Sequence, residues 1–111
     1  MLAQKWPDEA GRTAYLAGFH AAQALIFERQ DRTPKSHSGV QTVLASLTRD
    51  EVGFDIELRR FLGRAYNLKA VADYETGPQA LVTHEQAADA IASAVLFVEA
   101  IKWLVEGGAT D

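Results

Sequence analysis

The chain has 111 residues, 48% of them hydrophobic and 23% charged, with a formal net charge of −4. That length fits one domain with one core; the composition excludes disorder, and the acidic balance excludes a basic nucleic-acid footprint over the whole domain. Cysteine is absent, which removes disulfides, thiol catalysis and cysteine metal sites; with no signal-peptide pattern, a cytoplasmic protein is the default expectation.

Residues 1–7, MLAQKWP, read as a short leader. Pro7 followed by Asp8 and Glu9 then marks a helix start, because acids favour the first turn and Pro is tolerated there. The first helix is expected from Asp8 to Gln30, closed by the polar run Glu28 to Arg32 and by Thr33-Pro34. Between Ala14 and Phe27 it carries no charged residue. At helical spacing Tyr15, Phe19, Ala22 and Ile26 form one stripe, with Ala17, Ala21 and Ala24 roughly opposite. A helix apolar nearly all round belongs at the centre of a bundle, and this one falls short of the about 20 residues that span a membrane.

Ser36-His37-Ser38-Gly39 reads as the entry to a second, shorter helix, with Ser36 or Ser38 as N-cap. Val40, Val43, Leu44 and Leu47 give it one buried face. Thr48-Arg49-Asp50 and Gly53 mark a loop. A third helix is expected from Asp55 to Tyr74, with Ile56, Phe61, Leu62, Ala65, Leu68 and Ala72 inward and Glu57, Arg60, Arg64 and Asn67 outward; Glu75-Thr76-Gly77-Pro78 stops it. Thr83 and Gln86 have the spacing of a capping box. The fourth helix follows, with Ala87, Ile91, Ala94, Val98, Ile101 and Val105 on one side and Gly107-Gly108 at its end. Together these predict an all-α, up-and-down four-helix bundle over residues 8–107, with 108–111 as a tail.

At the level of motifs, Ala14-Tyr15-Leu16-Ala17-Gly18-Phe19-His20-Ala21-Ala22, followed by Ala24-Leu25, resembles the A-Y-Y-A-x-F-H-A-A-x-A-L signature of a prokaryotic branch of HEPN-domain proteins. Lys35 to Val40 resembles its K-T-H-S-G-V segment, and Lys69 to Tyr74 its R-x-x-A-D-Y segment. Ala87-Ala88 to Ala94, Phe97 and Val98 resemble its last helix. The resemblance implies a bundle of four or five helices, commonly dimeric, often encoded beside a minimal nucleotidyltransferase and often part of a toxin–antitoxin pair. It also implies, for active members, a metal-independent ribonuclease with an Arg-x(4–6)-His motif. Two departures stand out. Relatives carry another helix ahead of the signature, where this chain has only its leader, so an apolar face is expected to be left for a partner subunit. On the third helix, Lys69 stands at the Arg position and Tyr74 where the His would fall.

Catalysis of that kind needs Arg to hold phosphate and His as acid or base. Arg32 and His37 match the spacing, but in a Pro-containing loop, so the expectation is that His37 helps cap the second helix. His20 is expected to be a buried, hydrogen-bonded histidine; the functional alternative is a ligand or base facing a cleft or the dimer seam, with Arg12, about 80° round the helix, near enough to share a site. Asp73 and Tyr74 end the third helix, where a carboxylate opposes the helix dipole, so a compensating contact from Arg12, His20 or His37 is expected. Arg12, Arg60, Arg64, Lys69, Asp73 and Tyr74 are the candidates for binding a phosphate or ligand; for Arg59, Arg60, Arg64 and Lys69 a solvated face with acidic neighbours is the plainer reading. Tyr15, Phe19, Phe61, Phe97 and Trp103 read as core or interface aromatics. No metal-ligand spacing, phosphate loop or nucleophile elbow is seen, so neither metal nor cofactor is expected. The functional expectation is a non-catalytic, dimeric interaction module working with a nucleotidyltransferase or toxin–antitoxin partner; a ribonuclease and a nucleotide-binding bundle are the alternatives.

Overall fold

A computed structural model describes residues 2–74 and 82–107, the side chains of residues 2–5 and of Tyr74 excepted. The expected Gly77-Pro78 stop and the tail at 108–111 lie outside the described residues. Four α-helices make up the described chain: α1 (Leu2–Gln30), α2 (His37–Leu47), α3 (Ile56–Tyr74) and α4 (His84–Val105). The all-α bundle is therefore the fold.

The sequence places the start of α1 at Asp8; the helix instead begins at Leu2, with Pro7 inside it. Residues 2–7 are helix rather than leader. Proline removes one helical hydrogen bond, but Pro7 is fully buried, and the neighbouring Trp6 stacks on His84 at 5.8 Å, tying the start of α1 to that of α4. Packing overrides the breaker.

The remaining boundaries follow local chemistry. Ser36 caps α2, its hydroxyl accepting from Gly39 N at 3.0 Å. A side chain at Gly39 would meet Pro34 Cβ at 2.8 Å, so the Ser-x-x-Gly turn closes only with glycine there. Asp55 Oδ1 accepts from Leu58 N at 3.0 Å at the head of α3. Thr83 and Gln86 form the full capping box of α4, and Gly107, at φ 100°, follows the end of that helix. Arg29, in the last turn of α1, donates from Nη2 to Leu104 O at 3.0 Å and so satisfies a carbonyl at the end of α4.

α1 packs against all three other helices, as its apolar composition requires. Its inward row, Ala14, Tyr15, Phe19, Ala22, Leu25 and Ile26, joins Val40, Leu44, Phe61, Leu62, Ala65, Ala94, Phe97 and Ile101 in one core. Burial is not uniform round α1, because Leu16, Ala17, Ala24 and Phe27 face solvent. α4 is rotated from the expected stripe: Phe97 and Leu104 are buried while Ile91 is exposed. Ile56, expected inside, is also exposed, and so is Trp103, which leaves it the interface half of its core-or-interface expectation.

Candidate functional site

Two rows of side chains with the same helical spacing face each other where α1 and α3 pack. On α1 the row is Arg12, Tyr15 and Phe19; on α3 it is Tyr66, Lys69 and Asp73, each at i, i+3 and i+7. At one end the guanidinium of Arg12 donates from Nε to Asp73 Oδ1 at 2.7 Å and from Nη2 to Ala72 O at 2.9 Å. Lys69 Nζ lies 2.5 Å from the other oxygen, Asp73 Oδ2, and Glu9 adds a longer contact to Arg12 at 3.3 Å. The carboxylate at the unfavourable end of α3 thus holds two cations, and Arg12 also takes up a helix-terminal carbonyl. Of the three partners expected for Asp73, Arg12 is the one that reaches it.

One turn along, His37 from the start of α2 enters the seam. Its ring stacks on Tyr66 at 4.1 Å with 18° between planes, and Nδ1 sits 3.0 Å from the Tyr15 hydroxyl. Tyr15 meets Tyr66 edge-on at 5.6 Å. The direction of the Tyr15–His37 hydrogen bond follows the imidazole tautomer: Nδ1 accepts from the phenol when the ring proton is on Nε2, and donates to it when the proton is on Nδ1. The expected capping role of His37 belongs to Ser36; His37 instead latches α2 onto α1 and α3.

Electrostatics follow from these contacts. Hydrogen bonds from Lys69 and then Arg12 hold the Asp73 carboxyl below its usual range, and the same bond to Asp73 raises the Arg12 guanidinium. Burial pushes the Tyr15 phenol up and the His37 imidazole down. Asp73 therefore contributes stability at pH above the ordinary carboxyl range, lost as the pH falls through its lowered value. For His37 the unfolded chain binds more protons than the folded one just below the ordinary imidazole value. Stability should accordingly fall as the pH drops from about 7 to about 5. Thermal melts across that range are expected to show a shallower slope for His37→Gln; an unchanged slope would mean that His37 does not contribute.

The other candidates are not drawn into the seam. His20 is exposed rather than buried; its Nδ1 is 2.9 Å from Gln23 Oε1, while Gln23 Nε2 donates to Pro34 O at 3.0 Å. His20 and Arg12 have different partners and share no site. Arg32 is exposed on the loop before α2, whereas His37 is turned into the seam. The basic set on α3 splits. Arg59 binds Thr48 O at 2.7 Å and braces the loop after α2; Arg64 pairs with Glu57 at 2.9 Å; Lys69 is in the seam; Arg60 is exposed. Backbone helix reaches Tyr74. Among the described residues no group of three or more His, Asp or Glu is placed to hold a metal, and no helix is long and apolar enough to cross a membrane.

Neither its residue type nor its neighbours in sequence mark Tyr66 as part of the seam. The signal was its register, since Tyr66, Lys69 and Asp73 repeat the spacing of Arg12, Tyr15 and Phe19. On the opposite side of α1, Ala14 and Ala17 with Ile91, Ala94, Val95 and Val98 of α4 line an open apolar groove of about 290 Å³, rimmed by Thr13 and Glu99.

The fold and seam define a small helical-bundle domain in which three separate sequence segments, Ala14–Ala22, Lys35–Val40 and Lys69–Tyr74, contribute polar side chains to one line of contact. The chain belongs to the HEPN-domain family, whose model matches residues 1–104. It is 34% identical over 94 residues to "Putative toxin MJ0605" of Methanocaldococcus jannaschii, covering 85% of this chain and 67% of that relative. A second protein of the same organism, "Putative toxin MJ0142", is 32% identical over 68 residues, covering 61% of this chain and 46% of that relative. No solved structure matches.

Proposed function

We propose that this domain is a non-catalytic HEPN-type interaction module, a dimer that acts with a protein partner of the nucleotidyltransferase or toxin–antitoxin kind. The observation that carries this reading is the use made of the third-helix cation. Where an active relative would hold a free Arg for phosphate, Lys69 is engaged with Asp73 at 2.5 Å, and the nearest guanidinium, Arg12, is bound to the same carboxylate at 2.7 Å. These groups hold α1 to α3, and His37 holds α2 to both. The names of the two archaeal relatives support the toxin–antitoxin setting.

The open groove between α1 and α4 supports the dimer. Ala17, Ile91 and Val95 are exposed along it, and small residues on its floor let a second helix pair approach closely about a two-fold axis. The test has two arms. Purified protein incubated with single-stranded and structured RNA is expected to leave it intact; cleavage that disappears in His37→Ala would establish the ribonuclease instead. Light scattering is expected to give twice the chain mass for the wild type and the single mass for Val95→Asp, since a carboxylate on an apolar interface is strongly unfavourable. A wild-type monomer would remove the dimer.

A further inference from the structure

A second apolar surface lies away from the seam and borders the α1–α4 groove only at Glu99. Leu96 and Trp103, seven residues apart, fall on one line of α4 and are 66% and 47% exposed. Beside Trp103 the loop after α2 leaves a hollow of about 290 Å³, lined by Glu51, Gly53, Phe54, Ala100, Trp103 and Leu104. Next to it in sequence, Val52 is 97% exposed. Phe54 beneath is fixed by its edge contact with Phe97 at 5.9 Å and by the Arg59 guanidinium 5.5 Å from its ring centre. The floor is therefore rigid, and an exposed tryptophan beside a preformed hollow is the usual anchor of a protein interface.

Charge around this surface has a negative excess. On the loop side stand Asp50 and Glu51, with Asp55 at the head of α3. On the helix side Glu99 and Glu106, also seven apart, run parallel to Leu96 and Trp103, about 60° round the helix. The cations nearby are Arg49 and Lys102, both exposed, Arg29, which sits on Leu104 O and pairs with Glu28, and Arg59, held against Phe54 and Thr48 O. With Arg29 and Arg59 already engaged, the carboxylates outnumber the remaining cations. We infer that this surface docks a polypeptide segment carrying large apolar anchors flanked by lysines or arginines. The apolar anchors would fill the hollow beside Trp103 and the cations would meet the carboxylates on either side; such complementarity sets partner choice and association rate. An acidic rim disfavours RNA, whose phosphates it would repel. The inference rests on reading the domain as an interaction module and adds where its partner sits and what chemistry that partner has.

Binding can be followed in a Trp6→Phe background, where Trp103 becomes the sole tryptophan. The probe is an amphipathic helical peptide of leucine and lysine, about 14 residues long so that it can form a helix, set against its leucine and glutamate counterpart. The lysine peptide is expected to shift Trp103 emission to the blue and to saturate, and the glutamate peptide to leave it unmoved. Glu51→Lys with Glu106→Lys should weaken binding by about tenfold or more, whereas Glu85→Lys with Asp89→Lys, the same change in net charge nearer the start of α4, should not. Glu51→Gln with Glu106→Gln, which keeps side-chain shape, should give a smaller loss in the same direction. Absence of any Trp103 shift, equal shifts with both peptides, or equal losses in the two lysine double variants would each overturn the inference. RNA cleavage and chain mass are read separately, so failure here leaves the module reading to its own tests.

Discussion

Phe97→Ala is expected to remove about 3–5 kcal/mol of stability, a large share of the roughly 5–15 kcal/mol that holds a small domain together. Phe97 is fully buried. Its ring stacks on Phe61 of α3 at 4.8 Å with 28° between planes, and meets Phe54 of the loop edge-on. It is thus the α4 side chain on which both α3 and the loop after α2 rest, and direct packing between α3 and α4 is otherwise thin. A groove of about 360 Å³, floored by Leu58, Phe61, Ala65 and Leu68, separates them. Truncation would enlarge that space rather than let the helices close, because α1 holds both apart. The midpoint in a thermal melt should fall by roughly 10 °C or more, and Phe97→Leu should cost far less. A loss below about 1 kcal/mol for Phe97→Ala would show that the helices collapse onto the cavity.

The same ring shows what the sequence could and could not convey. Periodicity in α4 picks out Ala87, Ile91, Ala94, Val98, Ile101 and Val105, of which Ala87, Ala94 and Ile101 are buried, yet the helix turns Phe97 and Leu104 inward and leaves Ile91 exposed. Both sets repeat at helical spacing and both are apolar, so pattern alone does not choose between them. The choice is made by Phe61 and Phe54, which offer aromatic partners only to the Phe97 side. In contrast, the caps at Ser36 and Thr83 were legible because each is completed within four residues of chain.

The seam was legible in halves. A carboxylate at the C-terminal end of α3 calls for a cation on electrostatic grounds alone, and Arg12 is among the candidates. From its position at the entry to the second helix His37 reads as a capping residue, whereas its partners, Tyr15 and Tyr66, come from two other helices. Contacts across that many residues of chain are set by how helices pack, which a single sequence does not display. Pro7 failed as a boundary for the same reason: its local cost is overridden by a burial that involves α4.

Gly18→Ala is the second substitution with a large expected effect, and its sign is opposite to that of helix propensity. In an isolated helix the change would stabilise by about 1 kcal/mol. Here a Cβ on Gly18 would stand 2.3 Å from Phe61 Cε2 and 3.2 Å from Cδ2 and Cζ, so the edge of the Phe61 ring occupies the notch in α1 that the glycine leaves. Phe61 cannot easily withdraw, because its face is stacked on Phe97. The expected result is a net loss of about 1–3 kcal/mol from overpacking, measured by urea denaturation with an unchanged slope. Phe61→Leu should relieve the clash, so that adding Gly18→Ala in that background costs little or stabilises, giving a coupling of about 1–3 kcal/mol in the double-mutant cycle. If Gly18→Ala alone raised stability, the ring would have to lie elsewhere and the close approach of α1 to α3 would be wrong. That approach also sets the spacing across which Arg12 meets Asp73 and Tyr15 meets Tyr66. The variant should therefore shift the His37 ring resonances in solution as well as lower stability, whereas a purely local clash would leave them in place.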